Sequence, residues 1–328
     1  MTVFGTMPDG TPVERVTLSG GGLTANVLTY GTVVQDLRLE GHQHSLVLGF
    51  ETFDPYLSHS PYFGATAGRC ANRIRDGHLE LNGKTYQLDL NFLAKHSLHG
   101  GAVSMGKRVW TLESASSDSA TFSIQLEDGE MGFPGNLSAS VTYSLLPDGI
   151  FDMRMSASTD APTLCNMAHH SYFNLGSETV SDHLLQVEAE SYLPVDDELI
   201  PTGEIASVFG TRFDFQGPTP VKAASPVDHN YCCFAEKGAL RRVATLYSGT
   251  SGVSMDVLST EPGLQIYDGA KIDIAPEGLD GMKMRAHAGI AIEPQIWPDA
   301  NHNPEFPQAV LNPDETYEQH TQYRFSKG

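Results

Sequence analysis

The sequence predicts an all-β protein, built as one large antiparallel β-sandwich. Hydrophobic residues mainly alternate with period two, and no stretch of twelve or more residues carries the apolar stripe of an amphipathic helix. The 32 Gly and 19 Pro residues are spread along the whole chain, where they act as turn signals. Many short strands joined by turns are typical of sandwiches and barrels. We therefore expect antiparallel strands with one face exposed to water.

Three regions show the strand pattern directly. Residues 78–90 alternate on both sides of Asn82-Gly83, a dipeptide that favours the type I′ turn of a β-hairpin. Residues 137–145 and 151–157 repeat the pattern across a turn, and residues 185–189 show it again. Each region predicts a half-buried strand.

The length and composition favour a single domain over residues 1–328. The 40% hydrophobic content of the 328 residues is enough for a large core. No Ser-rich, Pro-rich or charged linker divides the chain, and inspection shows no internal repeat. A large sandwich therefore explains the length better than two domains.

Charge and cysteine content limit the partners and the compartment. Forty acidic residues against twenty basic ones give a net charge of -20, which repels nucleic acid and anionic membrane surfaces. The chain has no apolar stretch of about 18 residues and does not begin like a secretory signal, so we expect a cytoplasmic protein. The four cysteines form neither a CxxC pair nor a disulfide framework, which predicts free, mostly buried thiols: Cys70, Cys165, Cys232 and Cys233.

Polar side chains that are candidates for a functional role lie in five short segments that are far apart in the sequence. Loops and strand ends that converge on one face of a sheet have this distribution. In the first segment, Asn72 and Arg73 offer an amide and a guanidinium, which match sugar hydroxyls. Ordinary ion pairing by Arg73 at the surface fits the same spacing.

Histidines mark two further segments. His96 and His99 precede two glycines that allow a ligand to approach closely, but a metal site would need ligands that the sequence does not supply. We therefore predict no metal. His169 and His170 are adjacent in a buried-looking strand, so their side chains should point to opposite faces and only one can reach a pocket. The alternative is that the histidine is a hydrogen-bonded core residue.

Carboxylates mark the last two segments. Asp228 lies in a short polar stretch, and Glu293 follows apolar residues 289–292. We expect Glu293 at the end of an apolar strand, where a carboxylate is costly to bury without a purpose or a partner. Glu293 is the strongest single candidate for catalysis, and a structural, salt-bridged glutamate is the alternative.

Taken in order, ten short motifs resemble those of the aldose 1-epimerases, also called galactose mutarotases. The motifs extend over nearly the whole chain, and their shared order makes the resemblance specific. They are residues 46–50 (LVLGF), 61–64 (PYFG), 68–74 (GRCANRI), 98–101 (LHGG), 170–175 (HSYFNL), 228–230 (DHN), 262–267 (PGLQIY), 293–295 (EPQ), 298–300 (PDA) and 323–325 (YRF).

The resemblance implies a fold, an activity and a set of site residues. The fold is the large antiparallel supersandwich of galactose mutarotase-like proteins, and the activity is interconversion of the α and β anomers of a free monosaccharide such as galactose or glucose. By resemblance, Glu293 removes the proton of the anomeric hydroxyl and His170 protonates the ring oxygen. The implied substrate contacts are Asn72, Arg73, His99, Tyr172, Asp228 and Gln265. The reaction has no redox step, so we expect no cofactor.

The sequence departs from the family's usual pattern at several positions. Ser104-Met105 stand where Gly-Phe is common, and residues 92–95 (FLAK) replace a more polar approach. Position 169 is His where Asn is usual, and Asp268 with Ala270 differs from the common Thr-Gly-Asn. The acid and the base are kept, so these changes bear on sugar preference.

Three other functions fit part of the pattern. A glycoside hydrolase would use Glu293 and Asp228 as its paired carboxylates but would leave the histidines without a role. A non-catalytic carbohydrate-binding protein would need an aromatic platform, and the chain has only Trp110 and Trp297. A hexose-6-phosphate mutarotase of the same fold would need a basic cluster for the phosphate. For mutarotation itself, we expect that Asp228 helps to keep His170 charged near neutral pH.

Overall fold

The computed structural model describes residues 1–60 and 62–328; Pro61, which begins one of the ten motifs, lies outside the described residues. The all-β prediction is confirmed, because α1 (Asp54–Ser58) is the only α-helix in the described residues. Short 3-10 turns interrupt the strands. They are Arg75–Gly77, Met105–Lys107, Glu130–Gly132, Val221–Ala223, Leu279–Gly281 and Ala300–His302.

The strands of the first half of the chain include the predicted hairpins. Their bounds are β1 Thr2–Thr6, β2 Pro12–Gly20, β3 Leu23–Leu28, β4 Val34–Leu39, β5 Thr66–Ala67, β6 Arg73–Ile74, β7 His78–Leu81, β8 Lys84–Gln87, β9 Ser97–Leu98, β10 Thr111–Ala115, β11 Ser119–Leu126, β12 Leu137–Leu146 and β13 Ile150–Thr159. Strands β7 and β8 pair across Asn82 and Gly83, whose φ angles of 52° and 73° confirm the type I′ turn. Strands β12 and β13 pair in unbroken register, as predicted.

The strands of the second half complete the two large sheets. Their bounds are β14 Thr163–Leu164, β15 Ala168–His169, β16 Tyr172–Phe173, β17 Leu184–Val187, β18 Ser191–Tyr192, β19 Ala206–Ser207, β20 Thr219–Pro220, β21 Asp228–Cys232, β22 Arg241–Tyr247, β23 Val253–Ser259, β24 Gly263–Tyr267, β25 Ile290–Gln295, β26 Val310–Leu311 and β27 Tyr317–Lys327. The strand predicted at residues 185–189 is β17.

Two large antiparallel sheets share one core, which confirms the sandwich. The nine-stranded sheet has the order β10-β11-β12-β13-β27-β23-β22-β17-β20, and the six-stranded sheet has the order β16-β25-β24-β21-β18-β19. Tyr323 of the first sheet and Phe173 of the second have ring centres 4.8 Å apart. The Tyr323 hydroxyl also donates a hydrogen bond across the core to the Ile292 carbonyl, at 3.3 Å. Strands β1–β4 form a separate four-stranded sheet that packs against the same core.

The middle of the six-stranded sheet brings polar residues together. Strand register places Asn230 of β21 beside Gln265 of β24, and Gln265 beside Glu293 of β25. Because side chains alternate along a strand, Asp228 and Tyr267 lie on the same face as this row. The prediction that Glu293 ends an apolar strand is wrong: β25 continues to Gln295, so Glu293 lies inside a central strand.

The cysteine prediction is confirmed in its main point. All four cysteines are free thiols; Cys70, Cys165 and Cys232 are buried, and Cys233 is half-buried. In the part of the chain that the structure describes, no helix has the length and apolar character needed to cross a membrane.

Candidate active site

Asp228 connects the sheet wall of the site to the loop that carries Arg73. Its carboxylate accepts a hydrogen bond of 2.6 Å from Gln265 Nε2 and one of 3.0 Å from Arg73 Nη2. The Arg73 guanidinium also lies over the Phe92 ring, 4.8 Å from its centre. Arg73 and Gln265, predicted as sugar contacts, are therefore held in position by Asp228.

The loop side of the site is built by Asn72 and His99. Both residues have positive φ angles, 64° and 50°, a conformation that occurs mainly where the surrounding structure enforces it. The His99 amide donates to the Asn72 carbonyl at 2.9 Å, and the Asn72 amide donates to His99 Nδ1 at 3.2 Å. Because Nδ1 accepts a hydrogen bond, the neutral His99 imidazole carries its proton on Nε2, where it is available to a ligand.

Position 100 of this loop requires glycine, because a side chain there would clash with the neighbouring backbone. Its φ angle is +83°, and a Cβ atom at this position would lie 2.2 Å from the Gly68 carbonyl oxygen. The close contact holds the His99 loop against the segment that leads to Asn72.

The two adjacent histidines point in opposite directions, as predicted. Instead of one continuous strand, the chain forms the two short strands β15 and β16, with His170 between them. His169 packs in the core against Tyr143 and Tyr323, with ring centres 5.9 Å and 6.0 Å away. Its Nε2 lies 2.7 Å from the Ser171 hydroxyl. The opposite orientation leaves only His170 for the site.

His170 lies in an aromatic cluster on the site side. Its ring centre is 5.1 Å from that of His99, 5.1 Å from that of Tyr172 and 5.9 Å from that of Tyr62. Tyr172 is buried and forms this wall together with Tyr267, whose ring centre is 6.0 Å away. The predicted residues thus form one connected cluster: Asn72, Arg73, His99, His170, Tyr172, Asp228, Gln265 and Glu293. Four of them, Asn72, Arg73, Asp228 and Gln265, line a small common cavity, and this cluster with its cavity is called the pocket below.

His170 and Glu293 form the chemically distinctive pair of the pocket. His170 Nε2 lies 3.5 Å from Glu293 Oε1, and the two residues are only 5% and 2% exposed. The other polar atom of each side chain, His170 Nδ1 and Glu293 Oε2, has no hydrogen-bond partner among the described residues. Buried polar atoms are usually satisfied, so these two atoms leave hydrogen-bonding capacity for a ligand.

Burial shifts both groups of the pair toward their uncharged forms. It lowers the pKa of His170 to about 4 and raises the pKa of Glu293 well above its ordinary value. The negative charge of Asp228 raises both pKa values, and the positive charge of Arg73 lowers both. The expectation that Asp228 keeps His170 charged at neutral pH is therefore wrong: Asp228 raises the pKa of His170 as expected, but burial lowers it by more.

Four site residues were not assigned a role from the sequence. Asn230 and Tyr267 each lie two positions from a predicted residue on the same strand, so the period-two pattern could have identified them. Tyr62 lies in a loop, with its ring 5.9 Å from that of His170, and Lys107 ends the 3-10 turn Met105–Lys107. The Lys107 ammonium lies 5.0 Å from the Tyr62 ring centre. Tyr62 belongs to the motif of residues 61–64, which could have indicated it, whereas no sequence pattern indicates Lys107.

The His96 side chain has partners away from the pocket. Its Nδ1 accepts a hydrogen bond of 2.9 Å from the Asp76 amide, and its Nε2 lies 3.3 Å from Glu198 Oε2. Within residues 1–60 and 62–328, no group of three or more His, Cys, Asp or Glu side chains is arranged to hold a metal ion.

The fold and the pocket define a class of protein. The pocket has a buried carboxyl group beside an imidazole, and amide, guanidinium and imidazole donors surround them. These groups are typical of an enzyme that performs acid/base catalysis on a small polar substrate. The family model described as "Aldose 1-epimerase" matches residues 14–324. The chain belongs to the aldose 1-epimerase family and is an isomerase, and the sequence resemblance is thereby confirmed.

Relatives and solved structures agree over nearly the full length. A galactose mutarotase of Bos taurus is 39% identical over 340 residues, which cover 99% of this chain and 97% of that protein. An aldose 1-epimerase of Escherichia coli is 32% identical, covering 97% of this chain and 96% of that protein. The crystal structure of an aldose epimerase homologue from C. elegans superposes with a TM-score of 0.91 at 31% identity, covering 96% and 99% of the two chains.

Proposed function

We propose that this enzyme interconverts the α and β anomers of a free aldose such as galactose or glucose. Glu293 accepts the proton of the anomeric hydroxyl, and His170 donates a proton to the ring oxygen. The observation that carries the assignment is the 3.5 Å separation of His170 Nε2 and Glu293 Oε1 inside a buried pocket. A base and an acid this close can act on neighbouring oxygens of one sugar ring.

The reaction is a pair of proton transfers around a bond rotation. Transfer of the O1 proton to Glu293 and of a His170 proton to O5 breaks the C1–O5 bond and leaves an open-chain aldehyde. Rotation about C1–C2 then presents the other face of the carbonyl to O5. Reclosure returns the O1 proton from Glu293 and the O5 proton to His170, so atoms and charges balance without a cofactor.

The electrostatics of the pair suit this cycle. Burial leaves the resting pair uncharged, with its one proton on Glu293, and transfer of that proton to His170 gives the carboxylate and the imidazolium from which ring opening starts. Ring opening returns both groups to their uncharged forms, so the pair keeps one proton throughout. Because burial raises the pKa of Glu293 and lowers that of His170, it stabilises the uncharged pair relative to the ion pair. The proton of His170 is therefore readily given to O5, and Glu293 readily accepts one from O1.

The remaining pocket residues hold the sugar in one position. His99 offers its Nε2 proton, Asn72 its side-chain Nδ2, and Arg73 and Gln265 the donor hydrogens that Asp228 does not take. Fixing the reactants in this way can supply a large part of the rate enhancement, because the entropy cost of orienting the reacting atoms is met on binding. The Tyr172 ring forms the apolar wall beside His170.

The hydrogen bonds of Asp228 favour mutarotation over glycoside hydrolysis. A glycosidase needs a second carboxyl group free to act as an acid or a nucleophile. Asp228 instead receives hydrogen bonds from Arg73 and Gln265, which suit a positioning role.

Polarimetry of freshly dissolved α-D-galactose and α-D-glucose tests the proposal. The protein should accelerate the approach to anomeric equilibrium, and Glu293→Gln should lower kcat by on the order of 10²–10⁴. Glu261→Gln is the matched control, because Glu261 is also fully buried but pairs with Lys237 outside the pocket. Equal rates for the wild type and a folded Glu293→Gln variant would refute the assignment, and release of reducing sugar from an aryl galactoside would favour a hydrolase.

A further inference from the structure

Lys107 is a half-buried cation without a partner at the edge of the pocket. In the described parts of the chain, lysine ion pairs involve Lys95, Lys222 and Lys237, and no carboxylate oxygen lies within 4.0 Å of Lys107 Nζ. An ammonium that loses part of its hydration needs other groups to replace the lost water. Burial accordingly lowers the pKa of Lys107, and Asp89 acts weakly in the opposite direction.

The surroundings of Lys107 place it on the His99 side of the pocket. Its ammonium lies 5.0 Å from the centre of the Tyr62 ring, a cation–π distance, and that ring is 4.7 Å from the His99 ring. Burial, His170 and Arg73 lower the pKa of His99, and the positive charge of Lys107 adds to the effect. Lys107 therefore lies near His99. Its ammonium can only donate hydrogen bonds, whereas Asp228 accepts them.

The backbone that carries Lys107 is held firmly. The Lys107 amide donates to the Ser104 carbonyl at 2.9 Å, and the indole of Trp110 donates to the Met105 carbonyl at 2.9 Å. Met105 packs tightly on Gly68, where a Cβ atom would lie 2.7 Å from its sulfur.

We propose that Lys107 is a specificity-determining residue whose ammonium donates a hydrogen bond to one hydroxyl oxygen of the bound aldose, on the His99 side of the ring. An ammonium has three donor hydrogens, and the Lys107 ammonium donates no hydrogen bond to a described residue. Sugar hydroxyl oxygens are acceptors, and the other donors proposed for them are His99, Asn72, Arg73 and Gln265. The inference rests on the proposed function, because it presumes that an aldose occupies the pocket.

Kinetics on galactose and on its 2-deoxy, 4-deoxy and 6-deoxy derivatives test the inference. Lys107→Met should raise KM for galactose roughly 10- to 100-fold, the value of a hydrogen bond from a charged donor, with a small change in kcat. For the one deoxy sugar that lacks the partner hydroxyl, the wild type and Lys107→Met should have the same KM. Lys107→Arg should restore part of the affinity for galactose.

Lys84→Met is the matched control, because Lys84 is exposed on β8 and its loss changes the net charge equally. An equal rise in KM for every sugar would overturn the inference, since it would mean that Lys107 acts only by supporting Tyr62. An unchanged KM for galactose would overturn it as well. A wild-type protein that accelerates mutarotation of none of the sugars would instead overturn the proposed function.

Discussion

Replacing His170 with glutamine should remove most of the activity and, at the same time, make the fold more resistant to acid. Loss of the proton donor should lower kcat by on the order of 10²–10⁴. The gain in acid stability follows from burial, which lowers the pKa of His170 from 6.5 to about 4. Between about pH 4 and pH 6.5, His170 is therefore mostly protonated in the unfolded chain and mostly unprotonated in the folded protein.

The sign and the size follow from proton linkage. Because the folded pKa is the lower one, this contribution to stability is fully present above pH 6.5 and is lost as the pH falls toward 4. At pH 5 the loss is about 2 kcal/mol for a pKa of about 4. The entropy of unfolding for 328 residues is roughly 0.7 kcal/mol/K, so His170 alone should lower Tm by about 3 °C between neutral pH and pH 5.

The assay compares the Tm of the wild type and of His170→Gln at pH 8 and at pH 5. The difference between the two pH values cancels any packing cost of the substitution that does not depend on pH. His169→Asn is the matched control, since burial lowers the pKa of His169 to about 3 but its ring faces the core. The Tm of the His169→Asn variant should also fall less than that of the wild type between pH 8 and pH 5, and the variant should keep its mutarotase activity at neutral pH.

Two results would refute this reasoning. If the Tm of His170→Gln fell between pH 8 and pH 5 as much as that of the wild type, burial would not control the charge of His170. If a folded His169→Asn variant lost as much activity as His170→Gln, the opposite orientation of the two rings would not separate their roles.

Three other substitutions test the site. Glu293→Gln should melt at a higher temperature than the wild type by a margin that grows as the pH rises above 4.5, because a raised pKa makes ionisation of buried Glu293 cost stability. Asp228→Asn should move both limbs of the pH–rate profile to lower pH, because Asp228 raises the pKa of Glu293 and of His170. Gly100→Ala should lower the free energy of unfolding by roughly 1–3 kcal/mol in denaturant titrations, because its Cβ would lie 2.2 Å from the Gly68 carbonyl oxygen.

Each of these predictions has a contrary outcome. A Tm advantage of Glu293→Gln that stays constant from pH 4 to pH 8 would mean that Glu293 is not destabilised by ionisation. Limbs of Asp228→Asn that coincide with those of the wild type would show that Asp228 does not influence the pair. Gly83→Ala is the control for Gly100→Ala, because Gly83 also has a positive φ angle, 73°, but open space around it; equal losses would attribute the effect to backbone strain alone.

The sequence predicted those features that depend on neighbouring residues. Period-two alternation identified the all-β class, and the Asn82-Gly83 dipeptide identified a hairpin, because strand pleat and turn geometry are local. The same local rule correctly placed His169 and His170 on opposite sides. Resemblance then named eight residues that the fold brings into one cluster. Their individual roles stay predictions, as does the single domain over residues 1–328.

The long-range features required the tertiary structure. The apolar residues before Glu293 suggested a strand end, but strand register shows a central strand in which Gln265 and Glu293 are neighbours. The charge of His170 could not be judged from the sequence, because its pKa depends on burial by many distant segments and on the balance of Asp228 against Arg73. Lys107 carries no sequence signal, because its lack of an ion pair is a property of everything around it. Local geometry can be deduced from a few adjacent residues, whereas solvent exclusion and charge pairing are sums over the whole fold.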